Sequence, residues 1–297
     1  MSNDSDIVVD ITDWVERKKA DPIAYAERRA TEVFLTALGM TPSIGNKVYL
    51  KGGVLMGVVY RSIRSTSDID FTTELKPESS LPERVVEELN KAFPRASAEV
   101  DPDLMCKVQS VRVRPRRSGL QKASFPALEM TVGYAERGSP QEKKFYVGSA
   151  VDVLNVDISF NEPVGAIQVV RLNADGATKI KTYSLQDIIA EKMRALLQQV
   201  IRKRNRRQDI YDLSLLLSHF KFDDQEKTDL LRLLLIKCLA RDIKPESDSL
   251  DDPDVRDRAS QDWHTLALEI GELPDFDECF AVVNGFYKSL PWKSLTS

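Results

Sequence analysis

The spacing of hydrophobic and polar positions is helical in some segments of this chain and typical of strands in others. In the first part, the pattern predicts helices over 12–38, 54–60 and 81–93, and strands over 47–51, 68–73, 105–113, 124–134 and 151–160. From Ser184 onward only helical spacing recurs, over 185–204, 207–219, 226–240, 255–270 and 276–288. We therefore predict an α+β fold, with a mixed α/β domain at 1–180 and a helical domain at 181–297.

Local signals place some of the helix ends. Thr12 is a plausible N-cap for the first helix, and Gly39 ends it. The acidic segment 242–262 reads as a solvated loop before a helix capped near Asp252-Pro253.

Composition changes this picture little. The chain has 297 residues, 42% hydrophobic and 30% charged, and a formal net charge of −4. This charge excludes a uniformly basic nucleic-acid coat but not a local basic groove. The three scattered cysteines form no CxxC motif, which argues against a disulfide scaffold or a cysteine-based zinc site. An acidic N-terminus and the absence of a long apolar run predict a cytoplasmic protein without a membrane partner.

Carboxylates on predicted strands are the first candidates for chemistry. Asp68 and Asp70 lie on one face of their strand, while Ile69 and Phe71 face the core. Neighbouring carboxylates repel each other, and a bound metal ion would offset that cost. Asp157 lies on the polar face of the 151–160 strand; it is either an exposed edge residue or a third ligand. If the two strands are neighbours, the three carboxylates could bind two metal ions for phosphoryl-type transfer.

The glycine pair Gly52-Gly53 follows a short buried strand and precedes a short helix. Glycines permit a close approach of the backbone to a ligand, and a helix N-terminus favours an anion such as phosphate. A purely structural turn is the alternative interpretation.

A lysine on an apolar stripe is the next candidate. Lys192 falls among Ile188, Ile189 and Leu196, so its charge needs compensation. It either extends to solvent or meets an acid or a phosphate. Asp209 on the following helix is close to the core side, which suggests an ion pair with this lysine.

Two basic runs stand out against the acidic whole. The first comprises Arg202, Lys203, Arg204, Arg206 and Arg207, and the second comprises Arg112, Arg114, Arg116, Arg117 and Lys122. Each is either a solvated face or part of a groove for a polynucleotide backbone.

Three motifs in this order resemble those of the AbiEii/AbiGii toxin family of nucleotidyltransferases, which includes the MenT-like toxins of type IV toxin–antitoxin systems. They are Lys51-Gly52-Gly53 with the later Arg64-Ser65-Thr66-Ser67-Asp68-Ile69-Asp70, then Asn155-Val156-Asp157-Ile158-Ser159, and finally Ala190-Glu191-Lys192-Met193-Arg194-Ala195 followed by Arg206-Arg207-Gln208-Asp209-Ile210-Tyr211-Asp212-Leu213. The likeness covers roughly residues 25–220.

The resemblance implies a polymerase-β-like nucleotidyltransferase domain with a mixed sheet, and a helical domain that contributes to the active-site cleft. Asp68, Asp70 and Asp157 would bind Mg²⁺, as two ions, and Asp157 would be the general base. Lys192 would contact phosphate, and Asp212 and Asp209 would orient it or complete the site.

The nucleotide would bind at Lys51, Gly52 and Gly53, together with Asp209. Because this turn has Gly-Gly where related enzymes have Gly-Ser, Ser65 or Ser67 would supply the missing hydroxyl.

The function implied is transfer of a nucleotide from an NTP to an RNA acceptor, the tRNA 3′ end, which blocks growth or phage propagation, with a cognate antitoxin as partner. The run Arg202–Arg207 would bind the RNA. Two alternatives remain open: transfer to a protein or small molecule, and a non-catalytic module that binds RNA or a partner.

Overall fold

A computed structural model describes residues 6–116, 119–173 and 176–294. Its strands are β1 (Ile7–Val8), β2 (Val48–Lys51), β3 (Asp68–Thr73), β4 (Leu104–Arg114), β5 (Ala127–Glu136), β6 (Asp152–Phe160), β7 (Ile167–Arg171) and β8 (Lys179–Tyr183). Its α-helices are α1 (Ile11–Glu16), α2 (Pro22–Gly39), α3 (Pro42–Gly45), α4 (Gly52–Val58), α5 (Leu81–Val100), α6 (Gly119–Lys122), α7 (Glu142–Tyr146), α8 (Leu185–Arg202), α9 (Arg207–His219), α10 (Asp224–Leu239), α11 (Pro253–Ser260), α12 (Ala267–Ile270) and α13 (Phe276–Lys288).

The strands form one mixed sheet in the order β1-β7-β8-β2-β3-β6-β5-β4. β3 runs parallel to β6 and antiparallel to β2, and β5 runs antiparallel to both β6 and β4. The predicted α+β class is therefore confirmed. Because β6 lies between β3 and β5, Asp157 is on an interior strand, which removes the edge-strand interpretation.

The two faces of the sheet differ sharply in polarity. Ile69 and Phe71 of β3 are buried, and the Phe71 ring contacts Phe34 of α2, which in turn contacts Phe93 of α5. These two helices thus cover the apolar face. The predicted apolar side of β6 is buried as well: Leu154, Val156, Ile158 and Phe160. The residues that alternate with these buried ones point to the opposite face, and they include Asp68, Asp70 and Asp157.

The chain divides into two compact units. The first comprises Met1–Arg61, Thr66–Glu162 and Ile167–Thr182, and the second comprises Ser62–Ser65, Pro163–Ala166 and Tyr183–Ser297. Two short segments from the first two thirds of the sequence thus group with the C-terminal helices.

The second unit is built on α8. Ser184 caps this helix by accepting a hydrogen bond from the Asp187 N–H, and α10 starts with a capping box formed by Asp223 and Glu226. α8 packs against α9, α10 and α11, and α13 packs against α9. The apolar stripe predicted around Lys192 is part of this core, because Ile188, Ile189 and Leu196 are buried.

The prediction of a single N-terminal helix over 12–38 is wrong. The structure has α1 and α2 instead, capped by Asp10 and Asp21. Pro22 is the reason: a proline disfavours helical backbone in the preceding residue, and Asp21 is extended. Thr12 is not a cap but donates a hydrogen bond to Glu32 at 3.2 Å.

Other differences concern element ends and short elements. The helix predicted over 255–270 is interrupted at Asp262, whose backbone is left-handed. The helix predicted over 81–93 continues through Pro94 to Val100. The strands β1, β7 and β8 were not predicted, since each is only two to five residues long. The acidic segment behaves as expected: Asp252 caps α11, which begins at Pro253.

Candidate functional site

The polar face of the sheet carries a row of charged residues across five strands. Register pairs Lys51 with Asp70, Asp70 with Asp157, Asp157 with Glu129, and Glu129 with Arg112. Register partners on adjacent strands point to the same face, so these side chains form one line from β2 to β4. Three carboxylates therefore lie between two cations.

Asp68 lies on the same face, two residues before Asp70, and is register partner of Asn155. Asp68 is exposed, whereas Asp70 and Asp157 are half-buried. The predicted neighbourhood of the two acidic strands is thus confirmed, and the three predicted carboxylates share one face.

The glycine pair is required by the backbone around it. Gly52 has a φ of +70°, and a Cβ there would collide with the Asp70 carboxylate. A Cβ on Gly53 would lie 2.5 Å from the Thr66 hydroxyl oxygen. Both positions therefore exclude larger residues, and the turn brings the chain directly against Asp70.

The electrostatic state of Asp157 reflects its neighbours. Partial burial raises its pKa, the Arg114 guanidinium opposes this, and the charges of Glu129 and Asp68 raise it further. Arg114 contacts Glu129 at 3.0 Å and Asp157 at 3.4 Å. The raised pKa means that this carboxylate has a greater affinity for protons than an ordinary aspartate.

The carboxylates of Asp68, Asp70 and Asp157 are the candidate ligands for a metal ion. Among the residues that the structure describes, no three carboxylate, imidazole or thiol side chains are close enough to form a complete metal cluster. Mg²⁺ is nevertheless commonly held by one or two carboxylates plus substrate phosphates and water. Asp68, Asp70 and Asp157 offer only oxygen donors on one face, which suits this hard cation.

A second charged cluster lies in the second unit and is buried. The Lys192 ammonium donates to Asp209 at 2.9 Å and to Asp212 at 2.7 Å. Arg64 contacts both oxygens of Asp212, at 3.4 and 3.3 Å, and lies 3.7 Å from Glu269. The predicted ion pair between Lys192 and Asp209 is present, and solvent extension of this lysine is excluded because Lys192 is buried.

The cluster keeps its members charged. Burial alone would raise the pKa of Asp212, but the charges of Lys192 and Arg64 outweigh it and lower that pKa. Burial would lower the pKa of Lys192, yet the charges of Asp209 and Asp212 raise it. Each buried charge is thus compensated by an opposite charge. An ammonium has three N–H donors, and two carboxylates in the described part of the chain accept from Lys192, which leaves one donor for a further acceptor there.

The sequence pattern assigned no role to two residues of these sites. Arg64 lies within one of the motifs, but its partner Asp212 is 148 residues further along the chain. Thr66 is half-buried and its hydroxyl occupies the space beside Gly53. Of the serines predicted to supply a hydroxyl, Ser67 is exposed, and Ser65 groups with the second unit. The position of Thr66 two residues before Asp68, together with the Gly-Gly turn, was the sequence signal that could have identified it.

The predicted RNA-binding run lies on the connection between α8 and α9. Arg202, Lys203 and Arg204 are exposed there, whereas Arg206 and Arg207 are half-buried. Arg206 lies 3.7 Å from Asp209, so it lies at the edge of the buried charged cluster described above, which we call the Lys192 cluster. Its members are Arg64, Lys192, Asp209, Asp212 and Glu269. The second basic run begins on β4, and its Arg117 lies outside the described residues.

This fold is similar to those of solved proteins. The nucleotidyltransferase toxin MenT4 from Mycobacterium tuberculosis superposes with a TM-score of 0.58 at 16% identity, covering 96% of this chain and 92% of that one. JHP933 from Helicobacter pylori has a TM-score of 0.48 at 15% identity, covering 93% and 94%. No curated protein matches the sequence. The likeness to MenT4 identifies the fold as that of a nucleotidyltransferase.

The sequence itself gives the family. Residues 34–282 match the family described as nucleotidyl transferase AbiEii toxin of type IV toxin–antitoxin systems. The chain therefore belongs to the AbiEii family, and it is a nucleotidyltransferase of the toxin class, as the motifs predicted. In the described part of the chain, no helix is long and apolar enough to cross a membrane.

Proposed function

We propose that this toxin transfers a nucleotide from an NTP to the 3′ end of tRNA in the cytoplasm, with Mg²⁺, and that this blocks growth or phage propagation until a cognate antitoxin counteracts it. The observation that carries the proposal is the row of carboxylates on one sheet face, pressed against a Gly-Gly turn at Asp70. Like charges held together on a strand pair are costly unless a cation is bound between them.

We assign the metal to Asp68, Asp70 and Asp157, with substrate phosphates and water completing its coordination, because the three carboxylates alone do not form a complete metal cluster. When bound, Mg²⁺ would neutralise the triphosphate and stabilise the leaving oxygen. The chain's own contribution is to fix the backbone positions of the donors, because β3 and β6 are neighbours in an interior part of the sheet.

Asp157 is the best general base of the three. Its raised pKa brings it closer to the working pH than an ordinary aspartate, which favours proton acceptance from an attacking hydroxyl. A proton from the acceptor hydroxyl would move to a carboxylate oxygen of Asp157 as that hydroxyl oxygen bonds to the α-phosphorus of the NTP. The bond between the α- and β-phosphates would break in the same step, and pyrophosphate would leave.

The triphosphate would contact the Gly52-Gly53 backbone, with Lys51 beside Asp70 as a cation. We assign the hydroxyl contact to Thr66 rather than to Ser65 or Ser67, because its oxygen already lies where a residue-53 side chain would begin. Lys192 would use its remaining N–H on a phosphate oxygen, while Asp209, Asp212 and Arg64 fix its position.

The proposal is tested by incubating the protein with Mg²⁺, total tRNA and each of the four α-labelled NTPs. We expect label in tRNA with the wild type, and a loss of about 100-fold or more in Asp70→Asn, since a ligand of the metal is removed. Asp152→Asn is the matched control, because Asp152 is an exposed carboxylate of β6 whose parity places it away from the row.

The outcome against the proposal is also defined. If wild-type protein that binds NTP labels no RNA with any of the four nucleotides, the RNA acceptor is excluded and a protein or small-molecule acceptor takes its place. If Asp70→Asn labels RNA as well as Asp152→Asn does, the carboxylate row is not the catalytic site.

A further inference from the structure

The polar face of the sheet continues beyond Asp157 onto β5 and β4. Register places Ser110 opposite Thr131, and Thr131 opposite Asn155, in the row next to the carboxylates. The two hydroxyls are 2.7 Å apart. Together with Asp157 and Arg112, these residues line a pocket of about 290 Å³.

The arginines on β4 and directly after it differ in how their charge is used. Arg114 is occupied by the carboxylates of Glu129 and Asp157. Arg112 and Arg116 are exposed, and neither forms an ion pair with any residue that the structure describes. Both also line an adjoining concavity of about 450 Å³.

We propose that this polar face of β4–β6 binds the RNA acceptor, with Arg112 and Arg116 contacting its phosphodiester backbone. The proposal rests on the proposed function, since it specifies where the acceptor of that reaction binds. We name the surface the acceptor face and define it by Ser110, Arg112, Arg116, Thr131 and Asn155.

Three observations favour an RNA strand as the occupant. Two guanidinium groups that form no ion pair with the described residues match the spaced negative charges of a phosphodiester chain. The hydroxyl and amide groups of Ser110, Thr131 and Asn155 are suited to ribose hydroxyls, which distinguish RNA. The pocket also reaches Asp157, the proposed base, so a bound strand would present its terminal hydroxyl at the correct end.

The sequence pattern left both basic runs open as grooves for a polynucleotide backbone, and RNA binding was assigned to Arg202–Arg207. The acceptor face uses the other run instead. Within Arg202–Arg207, Arg206 is engaged with Asp209. On the acceptor face, Arg112 and Arg116 belong to the same unit as the carboxylates. The two surfaces can be separated by mutation, because both carry exposed arginines: Arg112 and Arg116 on one, Arg202 and Arg204 on the other.

The test compares tRNA binding by wild type and by Arg112→Ala/Arg116→Ala across a range of salt concentrations. Each lost phosphate contact should reduce the slope of log affinity against log salt by about 0.7 to 0.9. At 0.1 M salt two contacts correspond to a loss of about 25-fold or more. Arg112→Lys/Arg116→Lys retains the charges and should restore most of the slope.

Arg84→Ala/Arg95→Ala is the matched control. Both arginines are exposed on α5, which covers the opposite, apolar face of the sheet, and the net charge changes equally. The control should bind tRNA as the wild type does. NTP binding, measured as a thermal shift with Mg²⁺, should be unchanged in both double variants, which shows that they are folded.

Two results would overturn the inference, and they are distinguishable. If wild type labels tRNA and Arg112→Ala/Arg116→Ala binds tRNA with unchanged affinity and salt slope, the acceptor face is wrong while the proposed function stands. If tRNA affinity falls only in Arg202→Ala/Arg204→Ala, the acceptor binds at the α8–α9 connection. A wild type that neither binds nor labels tRNA would refute both proposals.

Discussion

The carboxylate row of the first unit and the Lys192 cluster of the second handle charge in opposite ways. In the row, Asp70, Asp157 and Glu129 are adjacent acids on one face, and the pKa of Asp157 is raised. In the cluster, acids alternate with cations in the interior, and the pKa of Asp212 is lowered. The first arrangement carries an excess of negative charge that a cation would relieve, whereas the second is already neutralised.

This difference shows which region is prepared for a ligand. Charges that are fully paired in the interior chiefly define geometry, and removing one partner leaves the other buried and uncompensated. Charges that repel at a partly open surface are stabilised by something that binds. Mutations that remove charge should therefore have opposite effects on the stability of the two regions.

The largest effect is expected from Lys192→Met. The substitution leaves Asp209 and Asp212 without their ammonium partner, and loss of one partner of a buried pair costs about 3–5 kcal/mol. Urea denaturation monitored by circular dichroism measures this change in the free energy of unfolding.

Lys91→Met is its control, because the Lys91–Glu87 pair is exposed on a helix and such pairs contribute about 0–1 kcal/mol. Equal losses in the two variants would show that the cluster is not a neutralised interior site.

A smaller effect is expected from Glu32→Gln, which tests a buried acid of the first unit that has a hydroxyl but no cation beside it in the described part of the chain. Burial raises the pKa of Glu32 to about 7, opposed by the hydrogen bond from Thr12. Because the folded-state pKa is above the unfolded value of 4.5, the wild type loses stability as the pH rises from 4.5 through 7.

Glu32→Gln should therefore be more stable than wild type above pH 7, by about 2–3 kcal/mol, and nearly equal to it below pH 4.5. Melting temperatures recorded between pH 4 and 8 provide the measurement. A difference that does not vary with pH would contradict a carboxyl group titrating near neutrality.

The smallest effect is expected from Asp157→Asn. Removing one of the adjacent negative charges should raise the melting temperature of the metal-free protein by about 1–3 °C, even though Arg114 loses a partner. Added Mg²⁺ should stabilise the wild type more than this variant. A lower melting temperature than wild type without Mg²⁺ would mean that the row is not under electrostatic strain.

The acidic face could be predicted from the sequence because strand parity is a local property. Alternation placed Asp68 and Asp70 opposite Ile69 and Phe71, and the structure agrees. Helical spacing likewise placed Lys192 and Asp209 toward each other, and their ion pair is present.

Other ion pairs join residues that are far apart in sequence, and a local pattern cannot predict them. Arg64 reaches Asp212 across 148 residues, and Arg114 reaches Asp157 across 43. Their pairing depends on strand order and on which segment packs with which helix. The break at Pro22 is a different case, since the proline was a local signal that helical periodicity outweighed.

The short segments Ser62–Ser65 and Pro163–Ala166 also have a consequence for how the molecule forms during synthesis. Pro163 and Gly165 supply the carbonyl and the N–H that Lys237 and Asp187 require, and Arg64 supplies a cation for Asp212. In a nascent chain these early segments therefore lack their packing partners until the C-terminal helices have emerged from the ribosome. A gene fragment starting at Tyr183 would lack these three contacts to its interior charges, so the two units are expected to mature together, with the slow kinetics of contacts distant in sequence.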